Sequence, residues 1–380
     1  MIYLDNAATT PLLTHQQDEL YEILNNFGNP SSFHTAGQIV KKVINFVKRD
    51  LLDMLWAKGG DIIFTSGGTE SNNLAILGVA DHLRSINRMT IITSCIEHPS
   101  VLNTCKHMES IGFNVIYMPV QEDGRIDIEE LDNVMRNNRD TLGLVTIQTV
   151  NSEIGAIQNV ADIGLLCEEY GALFHTDAVQ AVGHIDINVD DWNIDMLSIS
   201  GHKIYTPKGI GALYVRNKEI LKPILYGGGQ QYGLRPGTEN TFGIALLGES
   251  VRRLGSGQYK ERSLLANSSF MIRELEEYMK IPYSINCPDG CSHIISLTIP
   301  KVEGNSLMLM LSENGVCVST GSACSSGSLE ASYVLKAIGL SDKDAICTIR
   351  ISLSHITSQT ELSEAARLIG ELSYKLYALN

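Results

Sequence analysis

Between about residues 60 and 215 the chain repeats one pattern, a short unbroken apolar run followed by a longer amphipathic stretch. The runs are Ile62–Thr65, Thr90–Ser94, Asn114–Met118, Leu142–Ile147, Ala172–His175, Met196–Ser200 and Gly211–Val215. A strand reads as continuously hydrophobic when both of its faces are covered, and that is the condition of a parallel sheet wrapped by helices. The intervening stretches predict those helices, for example over Ile128–Arg136 and Ala161–Tyr170. The pattern therefore predicts a layered α/β domain whose strand ends gather along one edge.

A Gly-rich break, Tyr226–Gly233, follows the last run. A helical pattern then extends from about Thr241 to about Lys280, with a break expected at Gly255-Ser256-Gly257. The remainder, with strand-like Ile294–Ile299, Val316–Ser319 and Thr348–Leu353, reads as a smaller α+β unit. At 380 residues the chain exceeds what one ordinary core organises. Two domains are expected, 12–255 and 256–380, with residues 1–11 packing against the second. A hydrophobic fraction of 44% excludes wholesale disorder. The net charge of −14 argues against a chain built to grip nucleic acid directly. The start, Met1-Ile2-Tyr3-Leu4-Asp5, has no signal-peptide pattern, and no apolar run reaches the length of a membrane span. A cytoplasmic chain with reduced thiols is expected.

In an open α/β sheet, ligands bind beyond the carboxyl ends of the strands. Polar residues just after the runs therefore carry the functional information. Lys203 follows the run Met196–Ser200 in Ser200-Gly201-His202-Lys203. A desolvated lysine there can condense with an aldehyde cofactor, although a solvated turn lysine is the commoner use. Asp177 and Gln180 follow Ala172–His175. An acid at that place can pair with a protonated pyridine nitrogen, or it can simply cap the next element. Ser66-Gly67-Gly68-Thr69 joins a strand to a helix, where backbone N–H groups and the helix dipole suit a phosphate. His98 can stack on an aromatic cofactor and move a proton, and the Asn151 amide can donate to an oxygen. Each position alone reads as an ordinary turn. Together, at one edge, they predict a cofactor pocket.

Eight cysteines are present, mostly among apolar neighbours, where a free thiol packs as a small hydrophobe. Cys287-Pro288-Asp289-Gly290-Cys291 with His293 has no second pair at zinc spacing, so no metal site is expected. Cys324 differs. Its surroundings, Ser319-Thr320-Gly321-Ser322-Ala323-Cys324-Ser325-Ser326-Gly327-Ser328, are too small and polar for a core segment, and an exposed thiol in a loop needs a reason.

These motifs resemble those of the NifS/IscS-type cysteine desulfurases, in the aminotransferase class V branch of fold-type I pyridoxal-phosphate (PLP) enzymes. The likeness runs along essentially the whole chain: Tyr3–Thr10, Gly28–Ser32 with His34, Phe64–Asn73, Ser200–Lys203, Arg235–Asn240, Gly321–Cys324 and Ile349–Ser352. It implies the fold-type I architecture of PLP-dependent transferases, with a large domain on a mainly parallel seven-stranded sheet and a smaller α+β domain. It also implies roles: Lys203 as Schiff-base lysine, Asp177 facing the pyridine nitrogen, and His98 stacked on the ring with a catalytic part. Gln180 and Asn151 lie on the phenolic-oxygen side, Asn151 also near the substrate. Gly68, Thr69, Ser200 and His202 hold the phosphate. Thr238 reaches the phosphate of a neighbouring subunit, hence a homodimer. Arg350 forks the substrate carboxylate, and Cys324, on a long loop, accepts sulfur from L-cysteine as a persulfide. An iron–sulfur scaffold or a tRNA-thiolation enzyme is the implied acceptor. Another class V enzyme, an aminotransferase or selenocysteine lyase, is the alternative, but transamination has no need of Cys324. Two departures stand out. Gly68 occupies a position where many relatives have alanine, and Lys41–Lys58 lacks their Ala/Arg/Glu-rich helix composition.

Overall fold

The computed structural model describes residues 1–13, 23–255, 261–321 and 331–379. A short strand β1 (Ile2–Tyr3) opens the chain, followed by the large-sheet strands β2 (Asp61–Thr65), β3 (Thr90–Ser94), β4 (Asn114–Met118), β5 (Leu142–Thr146), β6 (Leu173–Asp177), β7 (Met196–Ser200) and β8 (Gly211–Val215). They form one seven-stranded sheet in the order β2-β8-β7-β6-β5-β3-β4. Only β8 runs against the others, antiparallel to both β2 and β7. The cause is the connection. Residues 201–210 contain one 3-10 turn and no crossover helix, so the chain returns directly. The expected strand Ala172–His175 is displaced to Leu173–Asp177, which puts Asp177 inside the ladder rather than after it.

Helices cover both faces of this sheet, and two apolar clusters fill the space between. The helix Thr35–Met54 buries Val40, Ile44, Val47 and Leu51, a helical stripe of the kind that docks on a core. It forms although its composition departs from the Ala/Arg/Glu-rich pattern, because the stripe, and not propensity, holds it. Its partner is the helix Thr241–Gly255, which approaches closely at Gly248: a Cβ there would lie 2.4 Å from Val47 Cγ2. Gly248→Val would force the pair apart.

The second sheet has the order β12-β13-β10-β9, with β9 (Ser284–Ile285), β10 (Ile294–Thr298), β11 (Val316–Cys317), β12 (Ser319–Thr320) and β13 (Thr348–Ser352); β11 pairs with β1 instead. The single strand expected at Val316–Ser319 is thus two, because its halves pair with different partners on either side of Val318. Helices Glu261–Tyr278 and Gln359–Tyr377 pack on each other and share one apolar cluster with this sheet, the latter helix started by a capping box between Ser358 and Glu361. One helix is described as far as Gly255 and the next from Glu261; Ser256 and Gly257 of the expected break lie outside the described residues. Leu4 belongs to this second apolar cluster, and Ser352 N donates to Leu4 O at 2.7 Å. A few residues on, Thr10 N donates to His202 O at 2.8 Å, so the N-terminal segment straps the second sheet to the edge of the first.

Candidate active site

Parallel pairing of β6 with β7 sets Asp177 opposite Ser198, so Asp177 and the turn Gly201–Lys203 emerge side by side. The Lys203 ammonium donates to Ala7 O at 2.5 Å and to Ala8 O at 2.8 Å, both on the N-terminal strap. Asp177 is buried. Its Oδ2 accepts from Asn72 Nδ2 at 2.7 Å and its Oδ1 from Val179 N at 3.0 Å.

Asn72 spends its other N–H on Ser100 Oγ at 2.8 Å, and Ser100 Oγ stands 2.7 Å from His98 Nδ1. Because Nδ1 also accepts from Ser100 N at 3.1 Å, His98 carries its proton on Nε2. Burial pulls this imidazole below its ordinary range; the Asp177 carboxyl opposes the shift and the Lys203 cation adds to it. Asp177, Asn72, Ser100 and His98 thus form one continuous, directed chain of hydrogen bonds. Asn72 and Ser100 had no assigned role in the sequence reading. The available signal was spacing: Gly68 and Asn72 are four apart on one helix and face the same way.

The helix Gly68–Gly78 starts at this edge, and its N-cap, Gly67, makes no side-chain cap bond. The first-turn N–H groups are therefore open to a ligand. A Cβ on Gly67 would come within 3.7 Å of Ser200 Oγ, which places that buried hydroxyl beside the helix start. Burial lowers the His202 imidazole to about 4, helped by the Lys203 and Lys208 cations, so at neutral pH it offers a neutral ring with one N–H. Thr69 and His98 line a cleft of about 410 Å³ that continues outward along Ser100 and Asn103. These donors fit a phosphate, as the lysine fits an aldehyde and the acid a pyridine nitrogen.

Two amides complete the far wall. Asn151 is buried, donates one N–H to Ile96 O at 3.0 Å and accepts at Oδ1 from Glu153 N and Ile154 N. Gln180 donates to Ala7 O at 2.9 Å, the carbonyl that also receives Lys203. Each keeps a second N–H. Arg350, on β13, is 3% exposed; Nη2 donates to Asp5 Oδ1 at 2.8 Å and Nη1 to Ser152 O at 2.9 Å, while the buried Nε has no partner among the described residues. The expected open fork is therefore held by Asp5, with one donor left over. Glu153 sits nearby: burial pushes its carboxyl up to about 7 against the pull of Ser332 and Arg350. Thr238 is exposed, in a segment tied down by Arg235 Nε donating to Glu70 Oε1 at 2.9 Å. Cys324 lies outside the described residues.

A lysine, an acid and an imidazole at the strand ends of a mainly parallel sheet define a class, and the chain belongs to the aminotransferase class V family, whose pattern matches residues 2–364. It is 41% identical over 390 aligned positions to cysteine desulfurase IscS of Dictyoglomus turgidum, covering 100% of this chain and 96% of that one. A solved NifS-like protein superposes with a TM-score of 0.89 at 30% identity, over 97% of this chain and 98% of that one. SspA, solved in complex with cysteine, superposes with a TM-score of 0.82 at 38% identity, over 94% of this chain and 100% of that one.

Proposed function

We propose the following reading of the site. The chain is a cysteine desulfurase, an enzyme of the class V family, which depends on PLP. What carries the reading is the convergence of Lys203, Asp177 and His98 with the uncapped helix start at Gly68. In it the large sheet belongs to a domain of residues 12–255, and residues 256–380 form the smaller one, with 1–11 packed on it. Bound there, PLP supplies an electron sink for the carbon it activates.

The residues of this chain do the rest. Lys203 would hold the cofactor through its side-chain amine, and the same amine is placed to take and return the proton at the substrate Cα. Asp177, steered by Asn72, would pair with the ring nitrogen. His98 would hold the ring from one side. Asn151 and Gln180 would offer their second N–H to the phenolic oxygen. The first-turn N–H groups at Gly68 and Thr69, the Ser200 hydroxyl and the neutral His202 bind the phosphate; Thr238 does so across a homodimer. Arg350 receives the substrate carboxylate on its Nε–Nη2 edge, displacing Asp5, with Asn151 alongside; this edge is the bidentate one. The Cys324 thiolate takes the substrate sulfur. The carbon–sulfur bond breaks with its electron pair left on carbon, which is then protonated, and L-alanine leaves. The persulfide passes to a partner protein of iron–sulfur assembly or tRNA thiolation. No helix among the described residues is long and apolar enough to cross a membrane, which fits a cytoplasmic enzyme.

The test separates cofactor from thiol. Purified protein given L-cysteine should release L-alanine and reductant-labile sulfide, with one added sulfur on the peptide bearing Cys324. Cys324→Ser should abolish both products and retain PLP, and Lys203→Ala should lose the borohydride-trapped cofactor. Native-rate turnover by Cys324→Ser, with sulfur on another cysteine, would overturn the reading.

A further inference from the structure

Behind the pocket, the Cys291 and His293 pair, which has no second pair at zinc spacing, forms a cluster with Gln180. His293 precedes β10 on the second sheet and reaches across to Gln180, which follows β6 on the first. Its Nε2 stands 3.2 Å from Gln180 Oε1, and its Nδ1 stands 3.0 Å from Cys291 Sγ. Ala7 O can only accept, so the Gln180 nitrogen faces it and Oε1 faces His293; an amide oxygen also only accepts, so Nε2 bears the proton and Nδ1 accepts from the Cys291 thiol. The ring is clamped in plane by His184, with centroids 3.8 Å apart and planes inclined by 11°. His184 in turn lies 10° from parallel with His355, at 5.8 Å. Burial, with neighbouring cations and imidazoles adding, holds His293 well below the usual imidazole range, and burial lowers His184 to about 3. Both rings stay neutral near neutral pH, and the partners of His293 choose its tautomer.

This arrangement decides which way Gln180 faces. The oxygen and nitrogen of an amide are alike in shape, and only hydrogen-bond partners tell them apart. With Oε1 claimed by His293 and one N–H by Ala7 O, the remaining N–H is the group Gln180 can offer the pocket. Reversed, the amide would set its oxygen against Ala7 O and its nitrogen against the His293 N–H.

We propose that His293 is a positioning residue for the desulfurase reaction: it fixes the Gln180 amide so that an N–H, not an oxygen, meets the phenolic oxygen of the cofactor. This rests on the PLP reading above, and the two are tested separately. In the full-length, cofactor-stripped chain labelled with 15N-histidine, His293 should be protonated at Nε2 and bare at Nδ1. An Nδ1–H tautomer or an imidazolium overturns the proposal whatever the cofactor does. In PLP titrations followed by visible absorbance, His293→Leu should weaken binding about tenfold or more, and His293→Gln, whose N–H reaches the same oxygen, should restore it to within about threefold. In a Gln180→Leu background, His293→Leu should change affinity no further, whereas a structural role would still register. Equal affinity of native protein, His293→Leu and His293→Gln overturns the proposal. If His293→Leu fails to fold, the tautomer and the His293→Gln affinity decide. A native chain that binds no PLP overturns the cofactor reading instead, and the tautomer then judges the proposal alone.

Discussion

The phosphate cradle offers a perturbation whose size is set by packing. A Cβ added to Gly68 would lie 2.6 Å from Val179 Cγ2 and 3.5 Å from Ser200 Cβ. Carbon atoms rest about 3.5–4.0 Å apart, so roughly 1 Å is missing on the Val179 side. Moving the helix away from Val179 drives the new methyl toward Ser200. Val179 cannot turn aside cheaply either, being β-branched, and its N–H is bonded to Asp177 Oδ1 at 3.0 Å. Overpacking of this kind costs about 1–3 kcal/mol, and the better helix propensity of alanine returns at most ~1 kcal/mol. Gly68→Ala should therefore lose about 1–2 kcal/mol of stability. It should also bind PLP more weakly, because the displaced N–H groups are those that face the phosphate. The assay is a double-mutant cycle of Gly68→Ala with Val179→Ala, read by thermal melting of the cofactor-free chain and by PLP titration. Removing Cγ2 makes room, so the double variant should recover, with a coupling of about 1 kcal/mol or more. Strictly additive losses, or a Gly68→Ala protein unchanged in both readouts, would refute the packing argument. If the packing argument holds, relatives with alanine at this position need a smaller neighbour in place of Val179.

Asn72→Ala strips the donor from Asp177 Oδ2 and from Ser100 Oγ, both buried, and should cost about 2–4 kcal/mol in urea unfolding; an unmoved midpoint would show the chain of bonds to be idle. Glu153 is raised by burial from 4.5 to about 7, so the folded state holds its proton more tightly than the unfolded one. Its contribution to stability is full below about 4.5 and is lost as pH rises through about 7. Melting temperatures across that window should fall less steeply in Glu153→Gln, and parallel curves would remove Glu153 as the cause. Thr238→Ala should bind PLP more weakly without unfolding; sedimentation showing a monomer that still binds PLP tightly would exclude the shared site.

Local pattern reached much of this molecule. Every strand of the large sheet lies within two residues of its expected bounds, because unbroken apolar runs mark buried strands wherever they pair. The placement of Lys203, His98, Asn151 and the Gly67-Gly68 turn at one edge was legible for a related reason: a polar residue just past a buried strand has one edge to occupy, and Asp177, the last residue of β6, shares that edge. Cys324 stands out by its small, polar sequence setting and lies outside the described residues.

What local pattern could not reach are partnerships set by strand order. Asn72 meets Asp177 across 105 positions and Gln180 meets His293 across 113, contacts that exist because β2, β6 and the second sheet are brought to one place. Val316–Ser319 reads as one strand, yet splits between two sheets because β1 and β13 compete for its halves. Arg350 was legible as a guanidinium, but not that Asp5 holds it. The most consequential unread feature has no side chain at all: the carbonyl of Ala7, which receives both Lys203 and Gln180. Every residue but proline carries the same backbone donor and acceptor, so composition and spacing say nothing of which carbonyl will matter. That is decided only when the N-terminal strap is drawn from the second sheet across the open edge of the first.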